Sequence, residues 1–298
     1  MRTILGERRI NEPMAQHTSW RVGGPARLFY KPVDRADLSA FLAQLEPNET
    51  IVWLGLGSNL LVRDGGIQGV VIATQTMPSL LEKTAPNRVC AEAGVTCAKF
   101  GRFVAQCGLV GAEFMAGIPG TLGGALAMNA GAFGGETWRQ VVALETMDRS
   151  GHVHQRAPSD FEVSYRHVRA LTTQGEEEWF ISAEFEYPEG DISLSRAEIK
   201  ALLAKRNLSQ PIGLASCGSV FTNPVGDFAA RLIDTAGLKG LCRGQACVSE
   251  KHANFIINCG NATAADIEDL ILEVQTRVAK VHGVHLVPEV RIIGARLS

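Results

Sequence analysis

Apolar residues recur three or four positions apart along several segments, which is the pattern of helices with one buried face. The clearest helix covers 264–282, and its apolar stripe consists of Ile267, Leu270, Ile271, Val274, Val278 and Val281. Thr263 and Asp266 are typical of a capping box before this helix, and Gly283 is typical of the residue that ends one. Further helices are predicted over residues 35–45, 97–107, 196–208 and 228–236.

Short apolar runs bounded by glycine, proline or aspartate predict strands. These runs cover residues 51–54, 60–62, 70–73, 141–147, 151–155 and 179–187. The pattern changes at Pro188-Glu189-Gly190-Asp191, after which helices predominate. We therefore expect a domain boundary near residue 190, with an α+β C-terminal domain over 191–298.

Residues 117–135 read GIPGTLGGALAMNAGAFGG and differ from every other part of the chain. An ordinary helix or strand is not expected there, because glycine loses more conformational entropy on folding than any other residue. Backbone amides without side chains form concave nests that bind anions such as phosphate. The alternative is a pair of tight turns with close packing.

A second glycine-rich segment, Gly55-Leu56-Gly57-Ser58-Asn59, follows the predicted strand over 51–54. It is not a dinucleotide-binding Rossmann fingerprint, because it leads back into a strand and not into a helix. A strand–loop–strand cradle would leave phosphates to backbone amides and to the side chains of Ser58 and Asn59. Two such cradles in one chain predict a large phosphate-bearing cofactor.

The overall composition excludes several classes of protein. The chain has 298 residues, of which 46% are hydrophobic and 20% are charged, with a net charge of −2. These are the values of an ordinary globular protein, and they provide no basic field for nucleic acid or an anionic membrane. No apolar run reaches the length of a membrane span, and residues 1–11 lack the apolar region of a signal peptide. A cytoplasmic protein is expected.

Cysteine and histidine usage predicts neither a disulfide framework nor a metal site. The seven cysteines are an odd number, are widely spread and contain no CxxC pair, so they are expected to act as small hydrophobic residues in a reducing compartment. His152 and His154 alternate on a predicted strand and would face one side. Without a nearby cysteine or carboxylate partner, they are not expected to bind a metal.

Six segments, in order along nearly the whole chain, resemble the UDP-N-acetylenolpyruvoylglucosamine reductase family. They are Arg21–Ala26 (RVGGPA), Leu54–Val62 (LGLGSNLLV), Gly117–Gly124 (GIPGTLGG), Ser164–Arg166 (SYR), Gly218–Pro224 (GSVFTNP) and Pro288–Val290 (PEV). Six ordered segments are far more specific than one glycine motif. The short interval between the fourth and fifth is similar to that of the family's shorter subtype, which lacks an extra tyrosine-bearing loop over the substrate.

The resemblance implies an α+β flavoenzyme with the FAD-binding fold of the vanillyl-alcohol-oxidase superfamily (PCMH type). In that fold, two N-terminal lobes hold FAD and a C-terminal domain closes over substrate. Here the FAD-binding domain would cover 1–190, in lobes of about 1–74 and 75–190, and the last strand of the C-terminal domain could return to the first lobe. NADPH would reduce FAD, and hydride would then pass to the enolpyruvyl group of the UDP-sugar to give UDP-N-acetylmuramate for peptidoglycan synthesis. Noncovalent FAD is expected, since neither cradle contains a histidine. The partners implied are the UDP-sugar and NADPH, and the protein is expected to be a monomer.

The same resemblance assigns the site residues. Arg166 and Glu289 would polarise the enolpyruvyl carboxylate, and Ser219 would donate the proton that completes the reduction. Tyr165, Asn223 and Lys239 are implied to contact substrate. The implied contacts of FAD are Arg21, Gly55, Gly57, Ser58, Asn59, Leu60, Gly117, Ile118, Pro119, Gly120, Thr121, Gly123, Gly124, Asn129, Ala130 and Gly131.

Spacing alone leaves other interpretations of the three catalytic candidates open. Ser219 also fits a turn serine, Arg166 a surface ion pair and Glu289 a strand-edge carboxylate. The chain further departs from the family at Thr222, where a lysine or arginine commonly helps to hold the substrate diphosphate. Either Lys239, Arg243 or Lys251 supplies the missing positive charge, or substrate binding is weaker.

Two rival functions remain at this point. One is an FAD-dependent oxidase of a small alcohol or hydroxy acid, in the same superfamily; such enzymes often attach flavin through histidine or cysteine. The other is a non-catalytic protein that binds a nucleotide sugar. It would keep the cradles without needing serine, arginine and glutamate in the three motif contexts.

Overall fold

The computed structural model describes residues 3–171 and 177–297 of the chain. The helices of this part are α1 (Arg35–Leu42), α2 (Cys97–Gln106), α3 (Leu122–Ala127), α4 (Ile192–Ser209), α5 (Ala229–Thr235) and α6 (Ala264–His282). Among them, no helix combines the length and the hydrophobicity that crossing a bilayer requires.

The strands of the same part are β1 (Glu7–Pro13), β2 (Pro25–Lys31), β3 (Ile51–Leu54), β4 (Leu60–Val62), β5 (Ile67–Ala73), β6 (Leu81–Ala85), β7 (Arg88–Glu92), β8 (Gly131–Ala132), β9 (Gly135–Glu136), β10 (Val141–Asp148), β11 (Val153–Arg156), β12 (Phe161–Ser164), β13 (His167–Ala170), β14 (Glu178–Glu186), β15 (Cys242–Arg243), β16 (Ala246–Val248), β17 (Ile256–Asn258) and β18 (Arg291–Ile293). One sheet has the order β1-β2-β5-β3.

The chain divides into two compact units. The first consists of Met1–Arg8, Tyr30–Gly55 and Ile72–Lys205, and the second consists of Arg9–Phe29, Leu56–Val71 and Arg206–Ser298. The predicted domain boundary between residues 190 and 191 was based on the order of elements along the chain, and it stays a prediction.

The first unit is built on an antiparallel sheet with the order β11-β10-β14-β7-β6. Helix α2 packs its apolar face on this sheet, where the Phe100 ring lies 4.7 Å from the ring of Phe185 on β14. Thr96 caps α2, and Gly108, with φ of +74°, follows its end. Helix α3 joins the same core through Leu122, Ala125 and Leu126, so part of the glycine-rich segment 117–135 packs on the core of the first unit.

The second unit combines the sheet β15-β16-β17 with helices α5 and α6 and with a parallel pair formed by β18 and β4. In α6, the predicted capping box of Thr263 and Asp266 is present and Gly283 has the left-handed conformation. The predicted apolar stripe is buried except at Val281, which is 57% exposed. Val281 lies in the last turn of the helix, beyond the buried core, so its place in the stripe was wrong.

The expectation that residues 117–135 contain no helix or strand is wrong. Leu122–Ala127 form α3, and the two short strands β8 and β9 follow it. A Cβ on Gly123 would lie 2.8 Å from the Cβ of Ala93. Gly123 therefore permits close packing of a helix, and this gain outweighs the entropy cost that argued against one.

Two other expectations need correction. Cys242 and Cys247 form a disulfide across the hairpin of β15 and β16, with their Cα atoms 4.1 Å apart. His152 and His154 do have a carboxylate neighbour, because Asp148 Oδ2 lies 2.8 Å from His154 Nε2 and 3.6 Å from His152 Nδ1. Within the described residues, no group of three or more His, Cys, Asp and Glu side chains is arranged to hold a metal ion.

Candidate active site

Gly55, directly after β3, contacts the glycine-rich segment 117–135 within the first unit. A Cβ on Gly55 would lie 2.5 Å from Thr121 Oγ1, so a side chain there would force the two segments apart. Gly57 has φ of +62°, and a Cβ on it would lie 2.0 Å from the carbonyl oxygen of His17. Both positions therefore require glycine because other protein atoms occupy the space beside them.

The glycine-rich segment 117–135 contains α3. Thr121 stands at the N-cap of this helix but makes no side-chain capping hydrogen bond. Gly120 before it has φ of +144°. Gly123 is tightly packed, and its N–H donates to the Ala93 carbonyl at 2.9 Å. A Cβ on Gly124, in contrast, would meet only Thr121 Oγ1, at 3.9 Å. The two neighbouring glycines are thus in different surroundings.

Asn129 organises the hairpin of β8 and β9. It is 1% exposed and has φ of +46°. Its Nδ2 donates to Glu136 Oε2 at 3.2 Å and to the Ser164 carbonyl at 3.1 Å, while its Oδ1 accepts from the Trp138 N–H at 3.2 Å. The Asn129 side chain therefore serves the protein's own fold.

Arg166 lies in the turn between β12 and β13, with φ of +56°. Its Nη2 donates to the Gly131 carbonyl at 2.8 Å and its Nη1 to the Asn129 carbonyl at 3.3 Å. The Arg166 guanidinium also lies over the ring of Tyr165, 5.1 Å from the centroid, and Tyr165 is 48% exposed. These contacts fix the guanidinium beside the glycine-rich segment of the first unit.

Ser219 belongs to the second unit and is half-buried. It follows Gly218, which has φ of +73°. The next residue, Val220, donates its N–H to the Asn254 carbonyl at 2.9 Å and accepts at its own carbonyl from the Glu289 N–H at 2.8 Å. Ser219 thus stands at the start of a short extended segment that is bonded along both edges.

Glu289 is placed by the same network. Its N–H is bonded to Val220, and its carbonyl accepts from Asn59 Nδ2 at 3.1 Å. The Asn59 carbonyl in turn accepts from the Arg291 N–H at 3.1 Å. The structure therefore brings Ser219, Glu289 and Asn59, the last residue of the segment Gly55–Asn59, together within the second unit.

The cations considered as substitutes for the one missing at Thr222 all have partners. Lys239 Nζ lies 2.7 Å from Asp234 Oδ2, Arg243 is paired with Glu273, and Lys251 Nζ donates to the Asn207 carbonyl at 2.6 Å. The Thr222 hydroxyl donates to the Val287 carbonyl at 3.2 Å. Asn223 is exposed, and its Oδ1 accepts from the Ala229 N–H at 3.1 Å at the start of α5.

Arg21 and Cys217 also belong to the second unit. Arg21 is exposed and has φ of +58°. The thiol of Cys217 donates to the Leu60 carbonyl, with the two atoms 3.4 Å apart, and burial raises the pKa of this thiol to about 12. A thiol with that pKa stays protonated near neutral pH, so Cys217 is a structural residue and not a nucleophile.

The residues of the cradles fit a phosphate-bearing cofactor. A Cβ on Gly55 would lie 2.5 Å from the Thr121 hydroxyl oxygen, and a Cβ on Gly124 would lie 3.9 Å from it. That hydroxyl is not used to cap α3. Backbone without side chains, arranged around a hydroxyl donor, is the kind of surface that accepts phosphate oxygens.

Comparison with known proteins identifies this cofactor and the family. Residues 26–156 match the FAD binding domain family, and residues 210–293 match the family described as UDP-N-acetylenolpyruvoylglucosamine reductase, C-terminal domain. The protein of that name from Alkalilimnicola ehrlichii is 58% identical over 98% of this chain and 97% of its own length. The one from Methylococcus capsulatus is 59% identical over 95% of this chain and 92% of its own. The chain belongs to the UDP-N-acetylenolpyruvoylglucosamine reductase family.

A solved structure agrees with this assignment. The crystal structure of UDP-N-acetylenolpyruvylglucosamine reductase from Thermus caldophilus matches this structure with a TM-score of 0.79 and 30% sequence identity. The match covers 97% of this chain and 99% of that one. The predicted family, the α+β fold with an FAD-binding domain, and FAD as cofactor are therefore confirmed. The catalytic, cofactor-binding and substrate-binding roles assigned to individual residues stay predictions.

Sequence reasoning missed two residues that shape the site. Asn254 binds the backbone of Phe221, two residues after Ser219, and Glu136 accepts a hydrogen bond from the side chain of Asn129. Asn254 contacts a segment 33 residues away. The signal available in the sequence was only the polar type of these residues within apolar surroundings.

Proposed function

We propose that this chain is an FAD-containing reductase that uses NADPH to convert UDP-N-acetylglucosamine enolpyruvate to UDP-N-acetylmuramate, a precursor of peptidoglycan. The observation that carries the proposal is the identity of 58% over 98% of the chain to a curated relative named for this activity. The shared name of the relatives favours the reductase over an alcohol oxidase and over a non-catalytic binding protein.

The cofactor is held, in this proposal, by backbone around Gly55, Thr121 and Gly124. FAD bound there would supply the hydride-transfer chemistry that links NADPH to the vinyl carbon of the substrate distal to the ether oxygen. The protein then has two tasks, which are to stabilise the negative charge left next to the substrate carboxylate and to supply a proton to the adjacent carbon.

Arg166 and Glu289 perform the first task. The guanidinium of Arg166 carries a positive charge and is held by the carbonyls of Asn129 and Gly131, so it is oriented before substrate arrives. Glu289, by the family resemblance, would help to polarise the substrate carboxylate. Charge that develops on the substrate is stabilised most by such preorganised groups.

Ser219 performs the second task. Its hydroxyl gives its proton to the carbon that bears the carboxylate, and the serine oxygen is afterwards reprotonated from solvent. A hydroxyl is a weak acid, so the transfer depends on accurate placement. The hydrogen bonds at Val220, the next residue, provide that placement.

The nucleotide part of the substrate is contacted by Tyr165, Asn223 and Lys239. Tyr165 offers a half-exposed ring, and Asn223 lies on the exposed loop before α5. Lys239 would have to share its charge between Asp234 and the diphosphate, since the two side chains are 2.7 Å apart. We further propose that the enzyme acts in the cytoplasm, as a monomer, and without binding nucleic acid.

The test of the proposed function uses the colour of the protein. Purified protein should be yellow, and acid should release the flavin into solution as FAD. NADPH should bleach it without oxygen, and the enolpyruvyl UDP-sugar should restore the colour. An oxidase would regain colour with oxygen but not with the UDP-sugar, whereas a non-catalytic binding protein would not bleach with NADPH.

A further inference from the structure

The side chain of Asn254 is bonded to the backbone two residues after Ser219. Its Oδ1 accepts from the Phe221 N–H at 3.0 Å, and its Nδ2 donates to the Phe221 carbonyl at 2.8 Å. The Asn254 carbonyl also accepts from the Val220 N–H at 2.9 Å. Asn254 is 4% exposed and Phe221 is 2% exposed, so these bonds are protected from water.

The opposite edge of the same segment is bonded to the segment that carries Glu289. Thr222 donates its N–H to the Val287 carbonyl at 2.9 Å, and Glu289 donates its N–H to the Val220 carbonyl at 2.8 Å. Residues 220–222 are therefore held from two sides. Asn254 supplies one side, and the chain around Glu289 supplies the other.

Gly218 separates Ser219 from the buried Cys217. A Cβ on Gly218, which has φ of +73°, would find no atom within 4 Å, and glycine is the residue with the widest range of backbone conformations. On the other side of Ser219, the bonds of Asn254 to Val220 and Phe221 begin one residue away. These bonds therefore restrain Ser219 from the side that follows it.

Asn254 itself is carried by a well-bonded turn. The Ser249 hydroxyl accepts from the N–H groups of Lys251 and His252 at 3.1 Å and 3.3 Å. The Ser249 N–H donates to the Phe255 carbonyl at 2.8 Å, and the Phe255 N–H donates to the His252 carbonyl at 3.0 Å. A side chain mounted on such a turn can transmit its position to the segment that it binds.

We propose that Asn254 is a positioning residue for Ser219, an inference that rests on the proton-donating role proposed for Ser219. Asn254 does not touch the substrate; it aligns the backbone so that the Ser219 hydroxyl points at the reacting carbon. Without its amide, the buried N–H and carbonyl of Phe221 lose their partners, and the segment shifts to find others. A shift of about 1 Å in a catalytic group lowers a rate by roughly 100-fold.

The first experiment separates the two half-reactions in the FAD-loaded Asn254→Ala variant. Stopped-flow absorbance should show flavin reduction by NADPH within about twofold of the parent. Reoxidation by the enolpyruvyl UDP-sugar should slow by roughly 10- to 100-fold, since only this step needs the proton. Equal slowing of both half-reactions, or normal reoxidation, would overturn the proposal.

A second variant provides a signature that general loss of stability would not produce. In Asn254→Asp, the introduced carboxyl can accept from the Phe221 N–H, but it can donate to the Phe221 carbonyl only when protonated. Reoxidation should therefore accelerate as the pH is lowered from 8 to about 5.5, because burial and a facing carbonyl favour the neutral carboxyl. His252, Lys251 and Glu289 are the ionisable residues of the neighbouring segments, and Asn254→Ala, which keeps all three, should lack this acceleration. The absence of any difference between the two pH profiles would contradict the proposal.

Asn258 provides the matched control. It is also a buried asparagine of the second unit, and its Nδ2 donates to the Trp20 carbonyl at 2.9 Å while its Oδ1 accepts from the Gly260 N–H at 2.9 Å. Asn258→Ala should lower the melting midpoint by a similar amount and leave reoxidation within about twofold. If Asn258→Ala slows reoxidation as Asn254→Ala does, the effect is structural and the proposal is wrong. If Ser219→Ala reoxidises normally, the role of Ser219 itself is refuted; if only the Asn254 variants do, Asn254 alone is refuted.

Discussion

In the proposed reaction Ser219 is a weak acid whose effect depends on its position. The segment after it is hydrogen-bonded both to Asn254 and to Glu289. Replacing Ser219 by alanine should leave FAD reduction by NADPH nearly intact, since no proton from Ser219 is used there. Reoxidation by substrate should slow by roughly 10²- to 10⁴-fold, the usual effect of a positioned acid. Stopped-flow absorbance of the flavin measures both steps.

Ser219→Cys serves as the companion variant. A thiol is more acidic but larger than a hydroxyl, so it should recover part of the reoxidation rate that alanine loses. Equal slowing of both half-reactions in either variant would indicate a damaged site. Normal reoxidation in Ser219→Ala would mean that water or another side chain supplies the proton.

Thr222 occupies a position where the family commonly carries a cation, and its hydroxyl donates to the Val287 carbonyl. Thr222→Lys should tighten binding of the UDP-sugar by about 1 kcal/mol, the value of a partly exposed ion pair, and should change the rate of flavin reduction less. Isothermal titration of the UDP-sugar measures the first effect. Thr222→Met, which has similar reach and no charge, is the control; equal affinities in the two variants would show that charge at this position does not reach the diphosphate.

At the scale of elements, helix α3 contains two adjacent glycines with different surroundings. Gly123→Ala should lower stability, because the new Cβ would lie 2.8 Å from that of Ala93. Gly124→Ala has room for the methyl group, so it should keep or raise stability by up to about 1 kcal/mol, the helix preference of alanine over glycine. If the backbone at Gly124 approaches FAD, the same change should weaken FAD binding.

Fluorescence titration of the apoprotein with FAD and thermal unfolding separate these two effects. The expected pattern is opposite in the two variants, with lost stability at Gly123 and lost FAD affinity at Gly124. A Gly124→Ala variant that binds FAD as tightly as the parent would remove Gly124 from the proposed cofactor surface. Of the three residues proposed above to hold the cofactor, Gly55 and Thr121 would then remain.

The elements that the sequence predicted are those whose boundaries depend on neighbouring residues. Helix α6 begins after the capping residue Thr263 and ends at Gly283, as predicted, because both signals act within one turn. Helix α3 was missed, since it is stabilised by close packing against Ala93, which lies 30 positions earlier in the chain. Strand β6 was missed because most of it is polar and exposed. Strand β12 was missed although Phe161 and Val163 alternate with polar residues, because an alternation over four residues is too short to stand out.

The same distinction applies to the candidate site. The glycine cradles were recognisable because glycine-rich loops have few structural uses, and the catalytic candidates lie in motifs that carry the family resemblance. Asn254 was not recognisable, since its meaning depends on Phe221, which is 33 residues away. The pairing of His154 with Asp148 was missed for a related reason, because the turn that joins β10 to β11 brings them together.

At the scale of the whole molecule, Glu268 of α6 connects the two strands of the parallel pair. Its carboxylate accepts from Arg63, directly after β4, at 2.9 Å and 3.0 Å, and from Arg296, beyond β18, at 2.8 Å. Arg63 also donates to the Gly294 carbonyl at 3.1 Å. The hydrogen bonds from Arg63 are the main reason that the pKa of Glu268 falls from 4.5 to about 2.

This shift gives the stability of the protein a defined pH dependence. Glu268 is 6% exposed, and its pKa is lower in the folded than in the unfolded chain, so its contribution is complete above the unfolded value near 4.5 and is lost as the pH falls toward 2. A shift from 4.5 to about 2 corresponds to about 3 kcal/mol. Glu268→Gln should therefore lower the free energy of unfolding by about 3 kcal/mol at pH 7 and by progressively less below about pH 4.5.

Urea unfolding of the parent and of Glu268→Gln, at several pH values and equal FAD concentration, measures this difference. Glu162, paired with Arg169 on the surface hairpin of β12 and β13, is the control, because both side chains of that pair are more than half exposed. Glu162→Gln should leave the free energy of unfolding nearly unchanged at any pH, because exposed ion pairs contribute little. A difference for Glu268→Gln that stays constant down to about pH 3 would show that shape, and not charge, makes Glu268 stabilising. In that case the parallel pair of β4 and β18 would be held by packing and by its backbone hydrogen bonds alone.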